Sequence, residues 1–290
     1  MSRPRLGHIQ FLNLLPLYYG LVKKDVLLDV ELVKAAPRDL AGALLAGELD
    51  IAPIPSIEYC RNWRDLLLLD DLSISSDGDV KSILLVSSAP AEQLDGRPVA
   101  LTNTSRTSQA LLQIILAERY EVAPAYFEAP PDLRQMMRDA DAALLIGDDA
   151  LRALYLPGPL LHYDLGREWK ELTECKMVYA VWAVRRTFAE REPEKLASLH
   201  WALLESMRYT REHLDAITQY AARWETFPVS FLRSYFETLR FDFGPAYREG
   251  LTLFYSKAKE MGFVDEVAPL NFVKDQAAKA AEHRLEQAKQ

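Results

Sequence analysis

The chain has 290 residues, of which 49% are hydrophobic, so it can bury a large core, and this length favours about two domains. The formal net charge is −8. Nucleic-acid binding depends on clustered Lys and Arg that displace counterions, so this charge argues against a nucleic-acid partner. Every apolar run is far shorter than the ~20 residues that cross a bilayer, and we therefore expect no membrane span.

The N-terminus indicates a cytoplasmic location, and the cysteines indicate free thiols. Residues 1–6 carry two arginines but lead into no apolar stretch of the signal-peptide kind. Cys60 and Cys175 lack the spacing of a zinc site, so we expect two free thiols and no metal. No P-loop, GxGxxG or HExxH motif occurs, and we expect no cofactor. The sequence leaves the oligomeric state open.

The first half of the chain alternates short β-rich runs with amphipathic helical stretches. This alternation is typical of a mainly parallel sheet covered by helices. We predict strands at residues 5–11, 30–34, 51–53, 82–87, 98–101, 125–128 and 142–146. The clearest helices are predicted at residues 14–22, 38–46, 105–120, 132–138 and 148–154.

The second half predicts one more strand, at 178–184, and then an almost wholly helical signal from 193 to 239 and again from 245 to 261. Strands near 81–87 and 177–183 flank a middle block with its own alternation of strands and helices. We therefore predict an α/β fold with two lobes, each a mainly parallel sheet flanked by helices, and a helical C-terminal part. Lobe 1 comprises residues 1–88 and 178–290, and lobe 2 comprises residues 89–177. A ligand is expected in the cleft between them, where βα loops present helix N-termini.

Two short segments each predict a strand that runs directly into a helix. In residues 7–16, Asn13 stands at the expected N-cap, where its side chain can cap the helix and also contact an anion. A pure cap and a ligand contact both stay open for it. In residues 53–59, Ser56 opens the next helix, and Glu58 lies in its first turn, where a solvated carboxylate suits the helix dipole.

Residues 102–108 place seven hydrogen-bonding side chains between a strand and a helix, although one cap needs only one. We therefore favour an anion-binding role for this segment. Its candidate ligand-binding residues are Ser105, Arg106, Thr107 and Ser108. Gly147 and Asp148 begin another helix at the same sheet edge, where a structural role is the simpler interpretation.

Taken together, these segments resemble the chorismate dehydratases of the futalosine route to menaquinone. The resemblance rests, in chain order, on residues 7–13 with Pro16, 55–59, 105–108, 144–148 with 150–151, 164–166 with Trp169, and 179–182. It implies a type II periplasmic-binding-protein-like fold that acts without a cofactor. It also implies the elimination of water from chorismate, a small dianion, to give 3-[(1-carboxyvinyl)oxy]benzoate.

The resemblance implies roles for the candidate residues. Asn13 and the Ser105 to Ser108 donors are expected to hold the carboxylates of the substrate and steady the charge that develops. Ser56, Gly147 and Asp148 are expected to contribute to substrate binding. The general base is open: a carboxylate of the substrate itself can take the proton, and Glu58 is a weaker candidate.

One departure and three alternatives remain. Where the family usually has Thr-Gly-Leu-Pro-Phe-Val, residues 173–178 read Thr-Glu-Cys-Lys-Met-Val. The loss of the glycine and the proline leaves open whether the turn at the expected cleft mouth keeps the geometry of the family. The chain could be a non-enzymatic binding protein for a small anion, although no signal peptide is evident. It could be the fold-related 1,4-dihydroxy-6-naphthoate synthase, whose Ser-Pro-Cys-Pro-Asn-Asp-like opening is absent. It could also be a dehydratase paralogue with another substrate.

Overall fold

Two five-stranded sheets form the framework of the chain. The computed structural model describes residues 3–23, 30–155 and 158–274. In these residues the strands are β1 (Arg5–Ile9), β2 (Glu31–Ala35), β3 (Ile51–Pro55), β4 (Leu66–Ser76), β5 (Ile83–Ser87), β6 (Pro98–Thr102), β7 (Ala125–Ala129), β8 (Ala142–Ile146), β9 (Leu161–Asp164) and β10 (Met177–Arg185).

Helices cover both sheets and make up most of the described chain after β10. They are α1 (Leu15–Lys23), α2 (Pro37–Leu45), α3 (Ser56–Asn62), α4 (Arg106–Glu118), α5 (Leu133–Asp139), α6 (Gly147–Tyr155), α7 (Leu165–Thr173), α8 (Arg186–Arg191), α9 (Pro193–Glu212), α10 (Leu214–Ala221), α11 (Val229–Phe236) and α12 (Pro245–Glu260). Short 3-10 turns lie at Leu12–Leu14 and Ala91–Gln93. The predicted helical C-terminal part is therefore confirmed.

The two sheets share one plan. Their strand orders are β2-β1-β3-β10-β4 and β7-β6-β8-β5-β9. In each sheet four strands run in one direction, and the reversed strand is β10 in the first sheet and β5 in the second. The central strands β3 and β8 are buried along their whole length, whereas the edge strands β2 and β7 are largely exposed. The prediction of two mainly parallel sheets flanked by helices is confirmed.

Two strands were absent from the prediction. In β4, Asp70 and Asp71 interrupt the apolar run, and Asp71 adopts a positive φ of 57° where the pairing with β10 shifts register. The two aspartates interrupt the hydrophobic pattern that would have predicted this strand of 11 residues. Strand β9 is a half-exposed edge strand of four residues, too short to give a clear periodic signal.

The strand pairing shows where the chain passes from one sheet to the other. Strand β4 belongs to the first sheet and β5 already belongs to the second, so the chain passes between the sheets before residue 83. It returns to the first sheet at β10. The division into 1–88 with 178–290 and 89–177 stays a prediction as a statement about domains.

The first passage between the sheets is held by a half-buried carboxylate. Asp164, at the end of β9, accepts hydrogen bonds from the backbone N–H groups of Val80, at 3.1 Å, and Lys81, at 2.6 Å. It also caps α7 by accepting from the N–H of Gly166 at 2.9 Å. The residues just before β5 are thereby fixed against the start of α7.

Gly166 allows these segments to approach each other closely. A Cβ at this position would lie 2.3 Å from the carbonyl oxygen of Gly78 and 2.7 Å from the hydroxyl of Tyr179. Ser76 reinforces the contact, because its Oγ donates to the Gly78 oxygen at 2.7 Å and lies 2.8 Å from the Tyr179 hydroxyl. The second passage between the sheets is therefore packed directly on the first.

The C-terminal helices pack against the first part of the chain. Thr210 of α9 donates from Oγ1 to the carbonyl oxygen of Pro16 at 2.6 Å, and Ser206 donates to that of Leu17. Tyr255 of α12 donates to the carbonyl oxygen of Ser56 at 2.7 Å. Of the described helices, none combines the length and the apolar character needed to cross a bilayer.

We expect Gly166→Ala to lower the free energy of unfolding by about 1–3 kcal/mol, because the new Cβ would displace a backbone oxygen. Gly42→Ala in α2 is the matched control, since, apart from its chain neighbours and the adjacent helix backbone, no described atom lies within 4 Å of its added Cβ. It should be neutral or up to ~1 kcal/mol stabilising. Urea unfolding followed by circular dichroism compares the two. Equal stability of both variants would contradict tight packing at Gly166.

Candidate functional site

A small cavity lies between the two sheets. Its described lining comes from the first sheet and adjoining segments, from the residues before β5, and from the first turns of α4 and α6. The lining residues are Ile9, Phe11, Asn13, Pro37, Pro55, Ile74, Val80, Ser82, Ile83, Ser105, Ser108, Ile146, Gly147, Tyr179 and Ala180. Elements that are distant in sequence therefore meet around one space.

Neutral groups alone make up the described wall of this cavity. Its polar members are four hydroxyl side chains and one amide, belonging to Ser82, Ser105, Ser108, Tyr179 and Asn13. An anion here would be held by neutral donors and helix N-termini instead of a cation. Such donors are effective because the surroundings exclude water.

Asn13 offers the clearest unsatisfied group in the cavity. It lies inside the 3-10 turn that precedes α1, so the prediction that it stands at a helix N-cap is wrong. Its side chain is 9% exposed, and its Oδ1 has no hydrogen-bond partner among the described residues. A buried polar atom without a partner costs about 1–3 kcal/mol. The unpaired oxygen can accept a bond from a hydroxyl of a ligand, and the NH2 group of the same amide is the donor available to an anion.

Ser105 and Ser108 present hydroxyl groups at the start of α4. Ser105, predicted as the first residue of the helix, is its N-cap, and its Oγ accepts from the N–H of Ser108 at 3.4 Å. The same Oγ accepts from the Ser108 hydroxyl at 3.2 Å. Because Ser105 is the acceptor in both bonds, its own O–H remains available as a donor. The first N–H groups of α4 also lack acceptors within the helix and favour an anion.

Ser56 and Thr107 face each other instead of the cavity. Both are fully buried, and their hydroxyl oxygens lie 3.3 Å apart. Thr107 Oγ1 accepts from the N–H of Ile57 at 3.1 Å, and Ser56 Oγ donates to the carbonyl oxygen of Val178 at 2.8 Å. The pair joins α3, which follows a strand of the first sheet, to α4, which follows a strand of the second. Their position supports a structural link more than a ligand contact.

Arg106 and Glu58 are engaged in ion pairs away from the described cavity lining. The Arg106 guanidinium contacts Glu128 Oε1 at 2.5 Å, and Arg38 contacts the other oxygen of Glu128 at 2.8 Å. Glu58 pairs with Arg61 at 2.8 Å, one turn along α3. These positions give no support to Arg106 as a carboxylate ligand or to Glu58 as a base.

Gly147 and Asp148 lie on opposite sides of the cavity wall. Gly147 lines the cavity with a positive φ of 59°, and an added Cβ there would lie 2.7 Å from the ring of Phe11. Its N–H donates to the carbonyl oxygen of Ser82 at 2.8 Å. Asp148 lies at an outer pocket, where its Oδ1 accepts from the N–H of Leu12 at 2.9 Å. Burial raises the pKa of Asp148 to about 6.

Ser82 and Tyr179 line the cavity but carried no predicted role. Ser82 was predicted as the first residue of a strand, and because it follows the polar residues Asp79 and Lys81, nothing in the sequence distinguished it. Its Oγ makes only a long contact of 3.4 Å with the carbonyl oxygen of Val80. Tyr179 begins the run 179–182 used for the resemblance, but no signal distinguished its hydroxyl from a core tyrosine.

The free volume of the cavity is about 40 Å³. Small-molecule sites usually offer ~300–1,000 Å³. Contacts such as Leu12 to Asp148 and Arg38 to Glu128 join elements of the two sheets around it. A substrate therefore requires the two sheets to move apart before it can bind.

Comparisons with known proteins place the chain in a family. A sequence model of the family described as menaquinone biosynthesis matches residues 4–260. A chorismate dehydratase from Thermus thermophilus is 31% identical over 264 residues, which is 86% of this chain and 93% of that protein.

The predicted free thiols Cys60 and Cys175 are confirmed in the structure.

Solved structures give the fold. A crystal structure of an Archaeoglobus fulgidus protein matches with a TM-score of 0.73 and 18% identity, covering 90% of this chain and 98% of that one. The periplasmic aliphatic sulphonate-binding protein SsuA from Escherichia coli matches with a TM-score of 0.64 and 16% identity, covering 93% and 91%. These likenesses confirm the predicted periplasmic-binding-protein-like fold.

We expect Asp148→Asn to stabilise the protein at pH 8 and to change its stability little at about pH 3. Burial raises the pKa of Asp148 from 3.8 to about 6, so ionisation is harder in the folded state. The resulting penalty is absent when both states are protonated, grows between about pH 4 and 6, and is complete above pH 6. The gain at pH 8 should be up to about 3 kcal/mol in urea unfolding, because each unit of pKa difference corresponds to about 1.4 kcal/mol.

Asp132→Asn is the matched control for this experiment. Asp132 also accepts from a backbone N–H, that of Gln135 at 3.0 Å, but it is exposed. Asparagine preserves the acceptor in both variants. Only Asp148→Asn should therefore gain stability with rising pH, and parallel pH profiles for the two variants would refute a buried, destabilising carboxylate at Asp148.

Proposed function

Because the chain belongs to the menaquinone biosynthesis family, we propose that it is a chorismate dehydratase, a hydro-lyase that converts chorismate to 3-[(1-carboxyvinyl)oxy]benzoate. The observation that carries the proposal is the match to the Thermus thermophilus dehydratase over 86% of the chain. The family match spans every residue of the cavity wall. We assign the activity to this cavity, because elements of both sheets bring neutral polar groups together around it.

The chemistry requires orientation more than activation. Loss of the ring hydroxyl and of the hydrogen on the neighbouring ether-bearing carbon yields an aromatic ring, which gives the elimination a large driving force. We assign Asn13, Ser82 and Ser105 as donors to the substrate, because each presents a polar group at the cavity. A preorganised donor aimed at developing charge contributes ~10²–10³-fold to the rate.

The proton acceptor is most simply a carboxylate of the substrate. The described cavity wall contains no basic side chain, and Glu58 lies outside it in an ion pair with Arg61. His8 packs on the ring of Tyr18 with 3.9 Å between the ring centroids, and burial lowers its pKa to about 4. Neither residue is placed to remove a hydrogen from a molecule in the cavity.

Solute binding without chemistry is the second candidate. The fold is shared with the sulphonate-binding protein of Escherichia coli, and a cavity of neutral donors also suits a bound anion. Fold alone does not decide between the two functions.

We propose a cytoplasmic location, which agrees with the two free cysteines and with a biosynthetic relative.

We expect purified protein mixed with chorismate to release a product lighter by one water, detected by mass spectrometry. Turnover should persist after dialysis against a chelator, because the proposed mechanism uses no metal. Tight binding of chorismate without conversion would favour the solute-binding protein. Loss of turnover on dialysis, with recovery on adding a divalent ion, would contradict the cofactor-free mechanism.

We expect Asn13→Ala to reduce kcat/KM for chorismate by at least ~100-fold, about 2.7 kcal/mol of transition-state stabilisation. Its melting temperature should change little, because the Asn13 Oδ1 has no partner among the described residues. Asn62→Ala is the matched control: its amide donates to the carbonyl oxygen of Glu58 at 2.9 Å, outside the cavity. Turnover of Asn13→Ala within threefold of the control would remove Asn13 from the site.

A further inference from the structure

Tyr235 of α11 carries a buried hydroxyl that the fold leaves unsatisfied. The residue is 0% exposed, and its hydroxyl has no hydrogen-bond partner among the described residues. Other fully buried tyrosines are paired: Tyr59 donates to the carbonyl oxygen of Pro269 at 2.8 Å, and Tyr255 to that of Ser56 at 2.7 Å. Because an unpaired buried hydroxyl costs about 1–3 kcal/mol, the exception at Tyr235 needs an explanation.

The neighbourhood of Tyr235 includes the cavity residue Ser82. Lys81 donates from Nζ to the carbonyl oxygen of Ser234 at 3.0 Å, so the residues before Ser82 and before Tyr235 are in contact. The Ser82 hydroxyl is close enough to influence the pKa of the Tyr235 phenol, which burial raises well above its usual value. The phenol is therefore a neutral O–H donor at physiological pH, next to a serine that lines the site.

Ser82 needs a second partner to act as a directed donor. Its Oγ is buried, and its contact with the carbonyl oxygen of Val80 is long, at 3.4 Å. When the Ser82 O–H turns to a ligand, the lone pairs of Oγ can accept a bond from another hydroxyl. The charge of Asp148 also raises the pKa of Tyr235, but its carboxylate already accepts from the N–H of Leu12. Ser82 is therefore the partner that we consider for the Tyr235 hydroxyl.

We propose that Tyr235 is a positioning residue that donates its hydroxyl to Ser82 Oγ and so directs the Ser82 O–H at the substrate. The inference rests on the proposed dehydratase function. Hydrogen bonds in such a chain polarise one another, so a donor behind Ser82 strengthens its bond to the reacting molecule. Tyr235 is unpaired while the cavity is narrow and becomes paired when Ser82 rotates toward a bound substrate.

The test is Tyr235→Phe, which removes only the hydroxyl. We expect kcat for chorismate to fall about 10-fold with KM within threefold, and the melting temperature to stay equal or rise. Tyr59→Phe is the matched control, because it removes a paired hydroxyl from the core far along α3. It should lower the melting temperature and leave kcat unchanged. A clear loss of stability in Tyr235→Phe would instead mark its hydroxyl as structural and overturn the proposal.

A double-mutant cycle tests whether Tyr235 acts through Ser82. If it does, adding Tyr235→Phe to Ser82→Ala should cause no further loss of kcat. Losses that multiply, or a Tyr235→Phe variant with kcat within twofold of wild type, would overturn the proposal. Wild-type protein that fails to convert chorismate would overturn the proposed function itself, whereas a normal wild type with an unaffected Tyr235→Phe variant overturns only this inference.

Discussion

The carboxylate of Asp164 fixes the chain where it passes from the first sheet to the second, and the site depends on that anchor. It accepts from the backbone N–H groups of Val80 and Lys81, so the next residue, Ser82, is delivered to the cavity wall in a defined place. Burial raises the pKa of Asp164, while the N–H groups that it accepts from oppose the rise. A carboxylate satisfied by several backbone donors can stay buried without a cation. The same constraint that joins the two sheets thus places a substrate donor between them.

The cavity illustrates how binding capacity and stability oppose each other. A guanidinium in its wall would bind a dianion strongly, but it would be costly to desolvate whenever the sheets close without substrate. Neutral amide and hydroxyl donors have a smaller desolvation cost. Two of the buried groups left unpaired in the described residues, the oxygen of Asn13 and the hydroxyl of Tyr235, belong to the cavity or its immediate support. Fold stability is reduced where a ligand can restore the missing hydrogen bonds.

The sequence predicted the two sheets because buried strands and amphipathic helices differ in period, and only β4 and β9 lacked that signal. It also indicated Asn13, Ser105, Ser108 and Gly147, all of which line the cavity. It could not separate these from Ser56 and Thr107, because a hydroxyl at a helix start serves equally as a ligand donor or as a link to another helix. That choice depends on how the two sheets pack, which is non-local. The sequence did not indicate Ser82 and Tyr235 for the same reason, since the two residues are about 150 positions apart in the chain and meet only in the fold.

The departure at residues 173–178 can now be interpreted from the backbone. Glu174 occupies the position where the resembled family usually has glycine, and it adopts a left-handed φ of 60° while its N–H caps α7 through the carbonyl oxygen of Lys170 at 2.8 Å. This is the conformation that glycine favours at a helix C-terminus, and a side chain there costs roughly 1 kcal/mol. The turn therefore keeps the shape that glycine would give it. After this turn, the next residue that lines the described cavity is Tyr179, one position beyond Val178. The substitution changes local stability more than the pocket, which weakens the case for a paralogue with another substrate.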